Sequence, residues 1–508
     1  MTESQRTVAV IGGGITGLAA AHRLCELAPR LKIVVLESGG RLGGVLHTIR
    51  QDGFLLEEGA DNFITHVPWA LDLCRRLNLE PAPIAPDSDD SAGSPPADGL
   101  SEPSSAPGEL LQANSRCRHA FVVRRGRLRK VPDGFLMMAP TRLWPMLTTA
   151  ILSPLGKLRL ACEPFVRAKR DDEDESLASF ATRRLGQETY DRLVQPLVSG
   201  VYVGDPDQLS ASATVERFVR MEREHGSLTR AVRSEAAAGR SSDRNSSGAR
   251  YSMFVAPREG MSSLIRSLAA RLAGADIRLK TPVTRISRRS EGGWLLTVGA
   301  GRRESLAADA VIIATPAYAA AQLGRGIDPR LGTDLGRIRH ARYVIASLGY
   351  RREQIGHGLD GFGCVVPRIE GRTLLSVSFS SVKYPGRAPA GHVLLRAFLH
   401  DAHGRDLAGL PDDELTAIAA AELQSLLAIH GRPVVCSVNR GPAMPQYSVG
   451  HRALVERIER RVAIVPGLEL SGNAYHGVGV PQCIHSGQQA AERAVTFLRA
   501  CTPSAKPF

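Results

Sequence analysis

The chain has 508 residues, 43% of them hydrophobic, which is enough for two or three domains with sizeable cores. Its net charge of +13 is spread along the chain without a basic block interleaved with aromatic residues, which argues against nucleic acid as a partner. The eight cysteines show no CxxC spacing, so we expect no metal site and reduced thiols in the cytoplasm.

The first predicted elements are a strand, a glycine-rich turn and a helix in VAVIGGGITGLAAAHRL, residues 8–24. Gly12, Gly14 and Gly17 follow the spacing GxGxxG, which allows a tight turn, close approach of a pyrophosphate and close packing of helix on strand. The next strand, LKIVVLE, ends at Glu37, an acidic residue placed to suit a ribose hydroxyl. This order predicts a dinucleotide site with its phosphates at the helix N-terminus.

The middle of the chain predicts loops, helices and strands in turn. Pro-, Ser- and Gly-rich composition predicts a disordered insertion at 81–115 and a flexible linker at 236–250. Apolar residues at three- and four-residue spacing predict helices over 141–233, whereas GFGCVVP, TLLSVSFSS and HVLLRAFLH are typical of strands. DAVIIATP, residues 309–316, is typical of a buried parallel strand, so we expect the first domain to be discontinuous.

Further glycine-rich stretches indicate which dinucleotide is bound. GGRLGG and LEEGADNFIT follow the Glu37 strand, and LELSGNAYHGVGVPQC near the C-terminus predicts a strand, a glycine-rich loop and a second helix. A long ligand reached by helix N-termini from both ends of the chain suits flavin adenine dinucleotide (FAD) better than a nicotinamide cofactor. We therefore expect a flavin enzyme.

These stretches resemble the FAD-dependent amine oxidase superfamily, and more closely the oxygen-dependent protoporphyrinogen/coproporphyrinogen oxidase family of haem biosynthesis. The narrower resemblance depends on SGVYVGDPDQLS, PREGMSSL, GFGCVVPRIEGRTLLSVSFSSVKYPGRAP and AMPQYSVGH. It implies an α/β fold with a Rossmann-like, discontinuous FAD-binding domain at 1–80, 251–318 and 450–508. A mixed-sheet substrate-binding domain at 116–132 and 319–449 and an inserted helical domain at 133–235 complete the expected architecture.

The resemblance also implies which residues contact a non-covalent FAD. Val283 would lie at the adenine end, and the C-terminal loop would contact the flavin ring. The implied cofactor-binding residues are Gly12, Gly13, Gly14, Ile15, Gly17, Glu37, Ser38, Arg41, Gly59, Ala60, Val283, Asn473, Gly479 and Val480.

For the substrate, the resemblance implies that the Gly200 carbonyl faces a pyrrole and that Phe398 stacks on the ring system. Val365 and Ser378 occupy wall positions, although the family more often has a leucine-like residue in place of Ser378. A propionate-anchoring arginine of some relatives aligns with Ala120, which leaves His119, Arg118 and Arg124 as substitutes.

The implied reaction is the six-electron oxidation of a porphyrinogen, either protoporphyrinogen IX or coproporphyrinogen III, with dioxygen as acceptor and H2O2 as product. Because the flavin performs the chemistry, we expect no catalytic side chain. Two alternatives stay open: an amine oxidase or carotenoid-desaturase relative on the same fold, and a flavin-bound scaffold without turnover.

A final prediction concerns the apolar stretch 135–156. Its prolines and Arg142 interrupt it, so it should not cross a bilayer. It has the composition of an interfacial helix pair, yet the same residues could form the core of the helical domain. The residues in question are Phe135, Leu136, Met137, Met138, Leu143, Trp144, Met146, Leu147, Ile151 and Leu152, flanked by Arg129, Lys130, Lys157 and Arg159. We expect a cytoplasmic protein with peripheral membrane contact, and a homodimer.

Overall fold

A computed structural model describes residues 5–81, 108–114, 117, 119–237, 254–299, 304–400, 406–441 and 444–501. The insertion expected at 81–115 and the linker expected at 236–250 lie largely outside these ranges. Where the insertion is described, residues 109–112 form a strand, and this corrects the prediction of disorder. The reason is the adjacent pair Leu110 and Leu111, both buried, whose apolar surface favours an ordered strand.

The secondary structure alternates between strands and helices along most of the chain. The strands are β1 (Thr7–Ile11), β2 (Lys32–Leu36), β3 (Thr48–Gln51), β4 (Phe54–Glu57), β5 (Phe63–Ile64), β6 (Glu80–Pro81), β7 (Glu109–Gln112), β8 (Ala120–Arg124), β9 (Arg127–Lys130), β10 (Phe135–Leu136), β11 (Ala139–Pro140), β12 (Phe254–Pro257), β13 (Asp276–Arg278), β14 (Val283–Arg288), β15 (Trp294–Val298), β16 (Glu304–Ala308), β17 (Ala310–Ile313), β18 (His340–Ala341), β19 (Val344–Arg351), β20 (Gly363–Val365), β21 (Leu374–Phe379), β22 (His392–Leu399), β23 (Val435–Arg440), β24 (Met444–Pro445) and β25 (Leu468–Leu470). The helices are α1 (Ile15–Leu27), α2 (Trp69–Arg76), α3 (Leu143–Thr148), α4 (Pro154–Ala161), α5 (Leu177–Leu185), α6 (Gln187–Thr189), α7 (Gln195–Tyr202), α8 (Ala211–Thr214), α9 (Glu216–His225), α10 (Leu228–Ala237), α11 (Met261–Ala270), α12 (Ala317–Arg325), α13 (Pro329–Gly336), α14 (Ser380–Lys383), α15 (Asp412–Leu427), α16 (His451–Ala463) and α17 (Val480–Ala500).

A five-stranded parallel sheet, in the order β13-β2-β1-β17-β25, forms the centre of the first structural unit. Its central strand is buried on both faces: Val8 and Val10 pack with α1, α11 and α17, whereas Ala9 and Ile11 pack with β14–β16, α12, α13 and α16. A strand covered on both faces needs apolar residues at every position, which explains the continuous apolar run in the sequence.

The expected domain boundary at 318/319 needs a correction. The strands of the parallel sheet come from the segments 1–80, 251–318 and 450–508. However, α12 and α13 extend to Gly336 and bury Ala320, Leu331 and Leu335 in the core of the same sheet. Their small and apolar side chains allow close packing on the sheet, so the helices belong structurally to this unit.

A seven-stranded mixed sheet, in the order β23-β19-β22-β21-β20-β8-β9, forms the second unit. One face is apolar and packs against α15 through residues such as Leu348, Phe379 and Leu395. The strand period of two turns the intervening residues, among them Phe398 and Val365, to the opposite face. Helix α7 of the helical unit packs against this opposite face at β20 and β21.

The helical unit contains α3–α10 and its own core, which includes Phe180, Leu193 and Val198. A buried ion pair joins Arg184 to Glu163 within it, and the Glu163 carboxylate also accepts hydrogen bonds from the start of α10. Among the helices of the described ranges, none is long and apolar enough to cross a membrane. The expected α/β architecture with an inserted helical unit is confirmed.

Candidate functional site: a dinucleotide cradle beside an open sheet face

The turn from β1 to α1 is shaped by its glycines. Gly12 has φ +109°, and a Cβ there would lie 2.7 Å from the Ala314 carbonyl oxygen. A Cβ on Gly17 would overlap the Gly12 carbonyl oxygen, so helix and turn could not pack. Gly14 differs, because no atom of the described residues lies within 4 Å of the position that its Cβ would take. The first residue of α1, Ile15, follows directly, so the unpaired N–H groups of the helix start border open space.

Glu37 closes this turn from the neighbouring strand. Its carboxylate accepts hydrogen bonds from the Gly13 and Gly39 N–H groups, each at 2.6 Å. The Thr281 N–H donates to the Glu37 carbonyl at 2.8 Å, which brings the start of β14, with the half-buried Val283, beside it. The structure therefore gathers the residues expected at the adenosine end.

Two further predicted positions near this end are exposed. The Ser38 hydroxyl lies 3.3 Å from a Glu37 carboxylate oxygen, and the Arg41 guanidinium donates to the Leu42 carbonyl at 3.3 Å. Both side chains stand on the loop after β2, next to the turn. Arg41 is therefore available to a phosphate only from the solvent side.

A second loop packs on the glycine turn. The Gly43 N–H donates to the Gly13 carbonyl at 2.8 Å, and Gly43 also forms a parallel bridge with Gly14. Gly59 lies against the same loop so closely that a Cβ there would overlap the Val45 carbonyl oxygen. Ala60 packs partly buried against the adjacent core, so these predicted residues line one side of the cradle.

The C-terminal segment supplies the other side. The Ser471 N–H donates to the Ile313 carbonyl at 3.0 Å, so the loop after β25 starts at the same carboxyl edge of the sheet as the β1 turn. Gly479 precedes α17, whose first residue, Val480, is buried. Helix α17 crosses α1 so closely that a Cβ on Gly487 would overlap the Thr16 carbonyl oxygen. The two helix N-termini thus converge, as the sequence predicts.

Two orphaned polar atoms test whether this cradle fits FAD. The Thr315 hydroxyl, just beyond β17, and the Gln482 side-chain carbonyl, in the first turn of α17, are buried without a hydrogen-bond partner among the described residues. Thr315 lies beside Gly12, and the Gln482 side chain packs against Gly477 and Gly479 just before α17. Buried polar atoms of this kind are normally paired, and the phosphate, ribose and ring polar groups of FAD supply such partners. The residues therefore fit the dinucleotide.

The predicted substrate residues lie together on the face of the seven-stranded sheet opposite α15. Phe398 pairs with Ser376 and Ser376 with Val365, while Ser378 occupies the adjacent row beside Arg396. In these mostly buried strands, Phe398, Ser378 and Val365 are half-buried, as is Ser376. The exposed Gly200 on α7 faces this row, because a Cβ there would lie 3.7 Å from Val365 Cγ1. These residues are partly exposed on one face of the sheet, beside α7.

The structure does not bring the expected carboxylate anchors to one point. His119 stands before β8, with its Nδ1 3.9 Å from Asp133 Oδ1. Arg124, at the end of β8, lies five residues further along the extended chain, about 17 Å away. Burial and the nearby Arg192 lower the pKa of Arg124, which places it beside the helical unit. Arg118 lies outside the described residues, and Ala120 is buried.

A buried charge cluster beneath Gly59 is absent from the predicted set. Arg396 donates to the Gly59 carbonyl at 2.5 Å and lies 3.3 Å from Asp61, and the Lys383 ammonium lies 3.6 Å from the same carboxylate. Burial opposes the charge on Asp61, but Lys383 and Arg396 hold the pKa of Asp61 below its ordinary value. The cluster fixes the residues that line the cradle. A lysine and an arginine within the apolar segments SVKYPGRAP and HVLLRAFLH are the signals that could have revealed it.

Within the described ranges, no group of three or more His, Cys, Asp or Glu side chains is placed to hold a metal ion. All eight cysteines are unpaired thiols. Burial raises the pKa of Cys483, in the first turn of α17, to about 11. A protonated, buried thiol is a poor nucleophile for attachment to a flavin.

Comparison with known proteins supports the same conclusion. The pattern of the family described as flavin-containing amine oxidoreductase matches residues 15–495. Coproporphyrinogen III oxidase of Propionibacterium freudenreichii subsp. freudenreichii is 32% identical over 98% of this chain and 92% of its own length. Protoporphyrinogen oxidase 2 (chloroplastic/mitochondrial) of Arabidopsis thaliana is 29% identical over 99% of this chain and 96% of its own length.

A solved structure from Exiguobacterium sp. 255-15 has a TM-score of 0.80 at 28% identity, covering 98% of this chain and 99% of that one. The matches confirm the predicted amine oxidase fold and FAD as the cofactor. The chain belongs to the family of flavin-containing amine oxidoreductases.

Proposed function

We propose that this protein oxidises a porphyrinogen, either protoporphyrinogen IX or coproporphyrinogen III, with dioxygen as the electron acceptor. The observation that carries the proposal is the half-buried row formed by Phe398, Ser376 and Val365, with Ser378 in the adjacent row and Gly200 of α7 beside Val365. We infer that the partly exposed space along these residues is the substrate cleft. The two relatives named above act on these two porphyrinogens according to their names.

The cleft residues bind and orient the tetrapyrrole in this proposal. Phe398 offers an aromatic face to a pyrrole, and Val365 supplies an aliphatic wall. Gly200 leaves space for the ring, because any side chain there would project toward Val365. FAD held there would supply two-electron redox chemistry, so removal of six electrons and six protons would consume three O2 and yield three H2O2.

The side chains of this protein position the cofactor and the substrate, and we propose none of them as a general acid or base. The helix N-termini behind Gly14 and Gly479 hold the dinucleotide, while Arg396 and Asp61 fix the backbone at Gly59. Apolar walls exclude water and orient one bridge carbon of the substrate. Ser378, half-buried on the same face, is the polar residue of this wall.

Porphyrin fluorescence and oxygen uptake test the proposal together. Wild-type holoenzyme should convert at least one porphyrinogen, with H2O2 formed at three per porphyrin. Gly200→Leu should abolish turnover and keep FAD, since the added side chain fills the cleft and leaves the cradle unchanged. Gly274→Leu is the matched control, because Gly274 is exposed and no described atom lies within 4 Å of its Cβ position. Turnover of amines instead, or of neither substrate class, would favour the amine oxidase or the scaffold alternative.

We also propose peripheral contact with an anionic bilayer through the helical unit. The apolar stretch is divided between the two alternatives that the sequence left open: five of its residues are core, whereas Trp144 and Leu147 are 74% and 49% exposed. The core residues are Phe135, Met138, Met146, Ile151 and Leu152. Leu155, Leu158 and Phe165 extend the exposed set at 78%, 62% and 84%.

The charge around these exposed residues suits anionic headgroups. Residues 134–162 contain three basic residues and no acidic one. Of the flanking basic residues that the sequence suggested, Lys130 pairs with Asp360 and Arg159 donates to backbone carbonyls, so both already have partners within the protein. Lys157 lies between the exposed Leu155 and Leu158 and is the basic residue we assign to headgroup contact.

Vesicle flotation tests the bilayer contact. The triple variant Trp144→Ser, Leu158→Ser and Phe165→Ser should lose binding to vesicles with anionic lipid, and salt should weaken binding of the wild type. Ile464→Ser is the matched control, since Ile464 is 79% exposed at the end of α16. Wild-type protein that stays unbound with every lipid composition contradicts the proposal. A cytoplasmic location and a homodimer remain our proposals, the latter to be tested by light scattering.

A further inference from the structure

The segment PQYSVGH connects the two halves of the proposed site. Residues 446–451, which we call the bridge segment, lie between the end of α7 and residues 471–479, the loop from β25 to α17, which we call the flavin loop. The flavin loop carries the predicted cofactor contacts Asn473 and Gly479, and α7 carries Gly200. A contact that joins these two elements can fix the distance between cofactor and substrate.

On the cofactor side, the bridge segment contacts the flavin loop through the Tyr447 hydroxyl and the His451 ring. The Tyr447 hydroxyl donates to the Asn473 carbonyl at 2.6 Å and accepts from the Gly477 N–H at 2.7 Å. The Tyr447 ring stacks on His451, with ring centroids 4.0 Å apart, and His451 Nε2 lies 3.3 Å from the Tyr475 carbonyl. Tyr447 is 2% exposed, so water cannot replace these bonds.

On the substrate side, the bridge segment holds the chain that follows Gly200. The Gln446 side-chain amide donates to the Tyr202 carbonyl at 3.1 Å and packs so tightly on Gly204 that a Cβ there would overlap its oxygen. The Ser210 N–H donates to the Tyr447 carbonyl at 2.7 Å. Both ends of the segment 200–210 are therefore fixed to two consecutive residues.

We propose that Tyr447 is a positioning residue that holds the flavin loop in register with the substrate helix α7. The inference rests on the proposed function only for its substrate half. The flavin loop needs such support, because it lacks the regular hydrogen bonds of a helix or strand. Gly472 and Gly477 in this loop adopt φ +142° and +145°. Burial raises the pKa of the Tyr447 phenol, so the hydroxyl stays protonated and keeps donating throughout the working range.

Tyr447→Phe in the FAD-bound full chain tests the cofactor half. The ring and its stack on His451 remain, but a buried N–H and a buried carbonyl lose their partner. We expect FAD to dissociate about tenfold faster, a loss within the usual range for such unpaired groups, together with a shifted flavin absorption spectrum. Tyr350→Phe is the matched control, since Tyr350 is fully buried and its hydroxyl has no partner among the described residues.

Gln446→Met tests the substrate half. It keeps the side-chain length and removes the hydrogen bond to Tyr202, so KM for the porphyrinogen should rise severalfold while FAD dissociation stays at the wild-type rate. Tyr447→Phe should instead lower kcat more than it changes KM. A purely structural role would lower thermal stability in both variants without this division of effects.

Three results would overturn the inference. One is a Tyr447→Phe protein with wild-type FAD dissociation and an unchanged flavin spectrum. Another is identical changes in KM and kcat for both variants. The third result comes from hydrogen exchange on the wild-type protein: a Gly477 amide that exchanges as fast as the amides of an exposed loop. Such an amide cannot be hydrogen-bonded to Tyr447. If the wild type oxidises neither porphyrinogen, the proposed function fails, but the FAD dissociation rates still decide the role of Tyr447.

Discussion

An added side chain should affect the stability of the protein at one glycine of the β1–α1 turn and the binding of FAD at another. A Cβ on Gly17 overlaps a backbone oxygen, so Gly17→Ala should destabilise even the FAD-free protein by about 3 kcal/mol or more. Gly14 has φ −73° and ψ 176°, which any residue adopts, and no described atom near its Cβ position. Gly14→Val should therefore leave the FAD-free protein within about 1 kcal/mol of the wild type.

The effect of Gly14→Val should appear only when FAD is present. FAD at 100 times its Kd stabilises a protein by about 2.7 kcal/mol, and the variant should lose this increment because valine fills the phosphate path. Urea unfolding of each protein with and without added FAD measures both quantities, and FAD fluorescence quenching measures the Kd. Wild-type FAD affinity in Gly14→Val, or an unstable FAD-free form, would refute the placement of the dinucleotide.

Three other predictions concern pH, the insertion and the mode of FAD attachment. Burial lowers the pKa of His451 to about 4 from its ordinary 6.5, with a smaller opposing effect of the Tyr475 carbonyl. Between these pH values the unfolded state binds a proton that the folded state does not, so the free energy of unfolding should fall by up to about 3 kcal/mol as pH drops from about 6.5 to 4. Urea unfolding at several pH values measures this slope, and His451→Gln should flatten it. Replacing residues 82–107 by about six Gly or Ser residues should keep turnover within about twofold. A short linker can join β6 to β7, because the two strands pair as parallel neighbours about 5 Å apart. A tenfold loss of turnover would assign a function to the segment. Acid denaturation should release all FAD, and Cys483→Ser should release it equally; flavin that stays with the chain would contradict non-covalent binding.

Local sequence features were sufficient for the FAD cradle. The glycine spacing around Gly12 and Gly17 has one structural meaning when a buried strand precedes it and a helix follows, since both positions exclude a side chain. The convergence of the C-terminal helix on the same edge was also predictable, because LELSGNAYHGVGV repeats the strand–glycine–helix order. The positions where only glycine fits therefore determine the structure of this turn.

Features that depend on long-range packing could not be predicted from the sequence. The apolar stretch 135–156 has one composition, yet Met146 is buried and Trp144 exposed, and only the docking of the stretch on the helical core separates them. The cluster of Asp61, Lys383 and Arg396 joins residues more than 300 positions apart. Tyr447 shows the same limit: its motif was visible, but its two hydrogen bonds depend on where the flavin loop lies.

The most direct test of the account is the rate of porphyrin formation by wild-type holoenzyme, measured side by side on protoporphyrinogen IX and coproporphyrinogen III under air. The account predicts FAD-dependent formation of porphyrin from at least one of them, with three H2O2 for each porphyrin. A fully FAD-loaded protein that forms no porphyrin from either substrate above the spontaneous rate would contradict it.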